Sequence, residues 1–476
     1  MSTNNLKKTN YSALITLTTV FFFWGFVAAS NTILIGLFKD KFDLQQWQSQ
    51  LVEFAFYTAY FVGSLLYFLK SSFGSDPLQK YGAKKGLVGG LIISAFGAIG
   101  FIPAAELGSF WLMLTSLFVV GLGFSLLQIV ANPYVIALGD AKTGAHRVSL
   151  AGGVNSIGTM LGPIIFNSLI FGKISGAESD SVTIASVELP YIILAISFVV
   201  LAFILSRAKL PNLNSDKSAE SIEESSSSAR KSVFHYPQLV LGMIAIFVYV
   251  GVEVSIQSNL PTLMQQPNIL GLKPAETAHY ISLYWGSLMI GRWLQSIGVF
   301  TISGTKKIIT QFIVGFAAFA LIIASNWIMG TEVTNFFDYW PFVILLILTL
   351  IATRDKTGIT LIVFSLLGVI MMLLGMFSEG PMAVFFFVSG GLFCSIMWPC
   401  IFSLSIAGLG NHTTKGSSLL IMMIFGGAII PPLQGFIGDL IGIHNSYIVA
   451  VICFAYLAFF GWYVKKILNQ QGVEID

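Results

Sequence analysis

The sequence predicts an all-α polytopic membrane protein of fourteen spans, built as two six-helix bundles with an added transmembrane hairpin in the second. Three observations carry this fold class. The 476 residues are 55% hydrophobic and 10% charged, with mean hydropathy +0.82, whereas a soluble chain carries roughly 25% charged residues. Apolar runs long enough to cross a bilayer recur from end to end, broken once by a polar stretch. A short motif also recurs at the same spacing in both parts of the chain, the mark of an internal repeat.

Taken in order, the runs predict spans over 12–38, 49–69, 85–104, 110–138, 148–171 and 189–207. Residues 1–208 thus form a first bundle. Residues 209–236 contain SDKSAESIEESSSSAR, which has almost nothing apolar to bury and reads as a flexible linker. The second bundle, 237–476, holds spans at 237–263, 275–301, 307–328, 338–353, 358–377, 381–407, 416–440 and 445–466. Lysine and arginine should collect in the short cytoplasmic loops. Lys7 and Lys8, Lys80 with Lys84 and Lys85, Lys142 and Arg147, Arg207 and Lys209, Arg230 and Lys231, Lys306 and Lys307, Arg354 and Lys356, Lys415, and Lys465 and Lys466 all fall on one side of this count. The opposite loops, such as GAESDSVTIASVE and GTEVTNFFD, are neutral or acidic. Both termini and the linker are therefore expected in the cytoplasm, and the chain in the cell membrane.

The repeat pairs Arg147, Ser149, Gly158 and Pro163 with Lys415, Ser417, Gly426 and Pro431, at identical spacings. Pro133 answers to Pro399. Same-direction halves around a midplane site are the plan of major facilitator transporters, and that plan needs six helices per half. Pro133 follows Asn31 by 102 residues, whereas Pro399 follows Glu253 by 146. The surplus of 44 residues suits one helical hairpin at about 1.5 Å per residue, placed between 305 and 356. The alternative is twelve spans, with the short 338–353 run lying at the membrane interface and one neighbouring run merged with another.

Composition also excludes classes of function. A net charge of +3 that follows the loops gives no footprint for nucleic acid. Cys394, Cys400 and Cys453 all sit in apolar segments and imply neither disulfides nor a metal site. The histidines lie in or beside loops, and no nucleophile, base and orienting group assemble into an enzyme's arrangement. No cleavable signal peptide is expected, because the first apolar run is long enough to span the bilayer.

The stretch GLGFSLLQIVANPYVIAL carries Gln128 and Asn132 four residues apart, on one helix face. Amides turned to lipid would be left unpaired, so that face must look into protein or water. Uncharged side chains with both donors and acceptors suit a neutral partner rich in hydroxyls, such as a sugar. The competing reading is interhelical glue.

Several segments carry a resemblance. FFFWGFVAASNTILIGLF in helix one, LLQIVANPYV in helix four, NSIGTMLGP in helix five, YVGVEVSI in helix seven, YWGSLMIGRW in helix eight, SIMWPCIFSL and FGGAIIPPLQGFIGD resemble the fucose:proton symporter family of the major facilitator superfamily. Glutamine in helix four with glutamate in helix seven looks like its glucose/galactose branch. The resemblance implies secondary-active transport of a neutral hexose by alternating access. Two positions depart from it. Thr32 stands where the family commonly has an aspartate, and Gly152 stands where it has an amide. The fucose carriers' proton coupling is attributed to that aspartate and to a glutamate in helix four, where Gln128 stands here; both acids are missing, which favours Na⁺ over H⁺ as the coupling cation.

An ionisable side chain inside a span is a functional candidate, because keeping it there is costly. Glu253 lies about 24 Å along its helix at 1.5 Å per residue, too deep to snorkel. Glu53 lies about one turn from the outer end of helix two and can substitute for the missing helix-one acid; Thr32 completes the cation-coupling set. Arg292, with Arg147 and Lys415 of the repeat, is assigned to gating. Asn31, Gln128, Asn132, Asn155, Glu253, Gln257 and Asn259 form the expected hydroxyl-binding set, with Trp285 and Trp398 against the apolar face of the ring. No cofactor beyond the coupling ion is expected, and the partners are a small sugar and the lipid bilayer around a monomer. An uncoupled facilitator and a multidrug/proton antiporter are the alternatives.

Overall fold

Helix boundaries follow local chemistry in the computed structural model, which describes residues 9–44, 51–73, 77–140, 143–171, 183–208, 210, 232–272, 278–300, 302–328, 332–354 and 356–473. Most of the predicted linker lies outside them. Helix α1 (Tyr11–Lys41) starts where the Asn10 side chain accepts from the Ala13 N–H at 3.1 Å, and Ser109 caps α4 (Phe110–Ala137) on Leu112. Such caps satisfy N–H groups that have no partner inside the helix. The other long first-half helices are α2 (Leu51–Phe73), α3 (Ala83–Ile99), α5 (Gly144–Phe171) and α6 (Glu188–Arg207).

The second half runs through α7 (Pro237–Met264), α8 (Ala278–Ser296), α9 (Gly304–Ile328), α10 (Trp340–Thr353) and α11 (Thr357–Met376). The predicted 381–407 span is two helices, α12 (Gly380–Cys394) and α13 (Met397–Ile406). Pro399 has no N–H for the carbonyl four residues back, at Ser395, and the helix parts there. The 416–440 span is likewise divided, into α14 (Thr413–Met422) and α15 (Gly426–Ile441), by one 3₁₀ turn. Helix α16 (Ile448–Gln470) ends the fold.

Among the described residues, twelve helical spans are long and apolar enough to cross a membrane; α5 and α8 occupy the other two positions of the sequence count. The 338–353 run, interfacial in the twelve-span alternative, belongs to a 20-residue apolar span over Thr334–Thr353.

Packing repeats between the halves. Helix α3 packs on α4 and α6, and α11 packs in the same way on α12 and α16. That equivalence holds only if α9 and α10 are skipped. Helix α9 rests on α8 and α10, with Asn326 donating to Ser282 of α8 at 2.9 Å. Helix α10 is reached through Tyr339, whose hydroxyl lies 3.0 Å from that of Ser287, also on α8. The added pair therefore braces one face of α8.

By contacts the chain forms two units. One comprises Met1–Gly139, Ile157–His235 and Asn411–Met422; the other comprises Asp140–Ser156, Tyr236–Gly410 and Met423–Asp476. The partition cuts α5 after Ser156 and α14 away from α15. The repeat motif sits on both transferred segments. In the first unit Ser417 of α14 donates to the Ile129 carbonyl of α4 at 3.0 Å. In the second, Ser149 of α5 donates to the Gln295 side chain of α8 at 2.6 Å.

Candidate functional site

In the first unit, α2 and α4 meet along small residues. A Cβ on Gly121 would stand 2.7 Å from that of Ala59, while the hydroxyls of Ser64 and Ser125 lie 2.9 Å apart and Ser125 donates to the Tyr60 carbonyl at 3.2 Å. This close seam brings the Tyr60 hydroxyl beside the Gln128 amide. Gly121→Val is expected to force the seam apart and lower stability by about 1–3 kcal/mol, read as an earlier thermal unfolding transition in detergent.

Asn31 of α1 and Asn132 of α4 are fully buried, and Gln128 and Tyr60 nearly so. Asn132 donates to the Gln128 carbonyl at 3.1 Å, within its own helix. Both polar atoms of the Asn31 amide, both of the Gln128 amide, the Asn132 carbonyl oxygen and the Tyr60 hydroxyl form no completed hydrogen bond among the described residues. Asn31 points at the half-buried Glu53 carboxyl of α2, without the alignment of a formed bond. Six unpaired polar atoms on three helices are unusual, because buried polar groups are nearly always satisfied. Beside them, Val20, Phe21 and Trp24 of α1 and Phe124, Leu127, Gln128 and Ala131 of α4 line a narrow cleft of about 10 Å³. Thr32 lies in α1, but its side chain is outside the described residues. Lys415 is half-buried on α14 in this unit.

The second unit holds Glu253 on α7. One carboxylate oxygen accepts from the Tyr249 hydroxyl at 2.8 Å and from the Arg292 guanidinium at 3.2 Å. Trp398 lies beside Tyr249, ring centroids 6.1 Å apart, and stacks on Phe402. Trp285 is 36% exposed and meets Tyr284 edge-on. Gln257 is half-buried. Asn259 donates to the Ser255 carbonyl of its own helix at 3.0 Å. Asn155 is half-buried on α5, one residue from Ser156, which accepts from Arg292 at 3.1 Å. Arg147, fully buried, turns to its own loop and donates to Thr143 and to the Asp140 carbonyl.

Three side chains in these clusters escaped the sequence reading, although each has a helical signal. Tyr249 precedes Glu253 by four residues, Trp24 precedes Asn31 by seven, and Tyr60 follows Glu53 by seven. Each spacing returns to the same helix face.

The family model described as Major Facilitator Superfamily matches residues 13–354. A glucose/galactose transporter of Brucella abortus is 36% identical over 462 residues, which cover 97% of this chain and 96% of that protein. The L-fucose-proton symporter of Escherichia coli is 27% identical, covering 93% of this chain and 91% of its own length. A crystal structure of the Escherichia coli fucose:proton symporter superposes with a TM-score of 0.70 at 25% identity, covering 95% of this chain and 98% of that one. The chain is thus a multi-pass membrane protein and a member of the major facilitator superfamily.

Proposed function

We propose that this protein carries a neutral, glucose- or galactose-like hexose across the cell membrane by alternating access, coupled to a cation. The observation that carries the reading is the set of uncharged, buried and unpaired polar atoms on Asn31, Tyr60, Gln128 and Asn132. Sugar hydroxyls both donate and accept, and so complete such a set without adding charge. The names of the sugar-transporting relatives support the same substrate class. Lysine and arginine placement supports cytoplasmic termini. An amide-rich cluster fits a lipophilic drug poorly, which weighs against the multidrug alternative.

Glu253 in the second unit is the acid we assign to the coupling cation, with Glu53 beside Asn31 as the first unit's counterpart. Na⁺ is the leading ion, because Thr32 and Gln128 stand where the fucose carriers have acids. Proton symport is the second reading, supported by the name of the fucose-proton relatives. Counterflow of labelled glucose and galactose into proteoliposomes tests both. The expected result is exchange driven by internal unlabelled hexose and stimulated by external sodium. Equal rates in choline and sodium, without substrate-linked proton movement, leave an uncoupled facilitator. Competition by lipophilic cations but not hexoses overturns the sugar assignment.

A further inference from the structure

Arg292 makes two bonds that belong to different helices. One guanidinium nitrogen donates to Glu253 of α7 at 3.2 Å, and the other donates to the Ser156 hydroxyl of α5 at 3.1 Å. Ser156 in turn donates to the Gly152 carbonyl at 3.0 Å. Gly152 is the position where the family resemblance implies an amide. A Cβ there would lie 3.5 Å from Cδ of Arg292, so a longer side chain would take the space of the arginine stem. Gly153 does the same for the next residue of α8. Its Cβ would stand 2.9 Å from Cδ1 of Trp293, whose indole donates to the Gly153 carbonyl at 3.3 Å. Two consecutive glycines of α5 therefore seat two consecutive side chains of α8.

The side chains of Arg292 and Glu253 are 15% and 12% exposed. In such surroundings one carboxylate oxygen cannot hold two cations at full strength, because like charges at contact distance repel far more than in water. A fixed cation already stands where a mobile one must bind.

We propose that Arg292 is a tethered competitor of the coupling cation: it occupies Glu253 in the unloaded carrier and is displaced when the cation arrives, with Ser156 and the Gly152–Gly153 seat holding its stem in place. The inference rests on the reading of Glu253 as the cation-accepting acid. It applies to Na⁺ and H⁺ alike, since either removes the charge that holds the guanidinium. The displaced guanidinium keeps its bond to the Ser156 hydroxyl.

The test is hexose uptake by proteoliposomes of the full chain as a function of external cation concentration. Arg292→Gln is expected to lower the half-saturating cation concentration about tenfold, within the usual range of site-to-site coupling. Net uptake falls in that variant, while sugar-for-sugar exchange at saturating cation persists. Arg292→Lys keeps a tethered cation and is expected to retain the wild-type half-saturation. Gly152→Gln, which fills the stem's space, moves it in the same direction as Arg292→Gln and serves as the second variant if that one does not insert. An unchanged half-saturation in Arg292→Gln or Gly152→Gln, or a shift in Arg292→Lys equal to that in Arg292→Gln, overturns the proposal alone. Wild-type uptake indifferent to every cation overturns it together with the coupled reading. Wild-type vesicles that exchange no hexose overturn the sugar assignment.

Discussion

Gln128→Leu is expected to cut hexose affinity by roughly 5- to 150-fold while leaving the empty protein as stable as before, or more so. The two expectations have one cause. Gln128 is 2% exposed, and neither atom of its amide completes a hydrogen bond among the described residues. Two neutral hydrogen bonds to a ligand contribute about 1 to 3 kcal/mol together, which is the stated range of affinity. Burying the same amide without a partner costs about 1–3 kcal/mol in the empty protein. Leucine fills a similar volume and carries no such penalty. Equilibrium binding of labelled hexose and thermal unfolding of the ligand-free protein in detergent read the two quantities separately. If stability and affinity fall in parallel, the amide serves as interhelical glue and the binding assignment for α4 fails. Asn132 is a weaker test, because its amide N–H already bonds the Gln128 carbonyl and its loss also disturbs the helix.

The amide face of α4 was legible in the sequence because polarity contrasts sharply with an apolar run and a spacing of four fixes the face. The added hairpin was legible for a comparable reason: the Asn31–Pro133 and Glu253–Pro399 intervals differ by 44 residues, and α9 and α10 match the predicted interval to within one residue. Tyr60 and Trp24 gave no such contrast. In a chain with 41 Phe, 15 Tyr and 9 Trp, one further aromatic residue in a span carries little information, and its neighbours are set by packing. Gly152 shows a different failure. Beside the family pattern it reads as a lost amide, whereas the structure gives it a positive role as the floor under an arginine stem 140 positions later in the chain. Contacts such as Arg292 with Ser156 join residues too far apart for any local period to reveal. Arg147 illustrates the converse, since its conspicuous charge is absorbed by its own loop. The parting of α12 from α13 was in principle readable from Pro399, but a proline can also persist inside a continuous helix, as Pro133 does in α4.

Glu253→Gln is expected to be the most destabilising single change at the second cluster, and removal of Arg292 in the same molecule is expected to reverse most of the loss. Breaking one side of a desolvated ion pair costs about 3–5 kcal/mol, because the other charge stays behind without compensation. With both side chains at 15% exposure or less, water screens little of this. The two single variants are not equivalent. A stranded carboxylate can take up a proton and become neutral, whereas a guanidinium keeps its charge at any working pH. Glu253→Gln should therefore unfold at a lower temperature than Arg292→Gln, and the gap should narrow as pH rises and the proton that neutralises the stranded carboxylate becomes harder to acquire. The double variant Glu253→Gln/Arg292→Gln replaces the pair by two amides, and well-paired neutral groups are often no worse than the ions they replace. Its recovered stability separates folding from transport: a double variant that folds as well as the wild type yet exchanges hexose without regard to cation places the coupling charge on Glu253. A double variant that still responds to the cation moves that charge to Glu53, the acid beside Asn31.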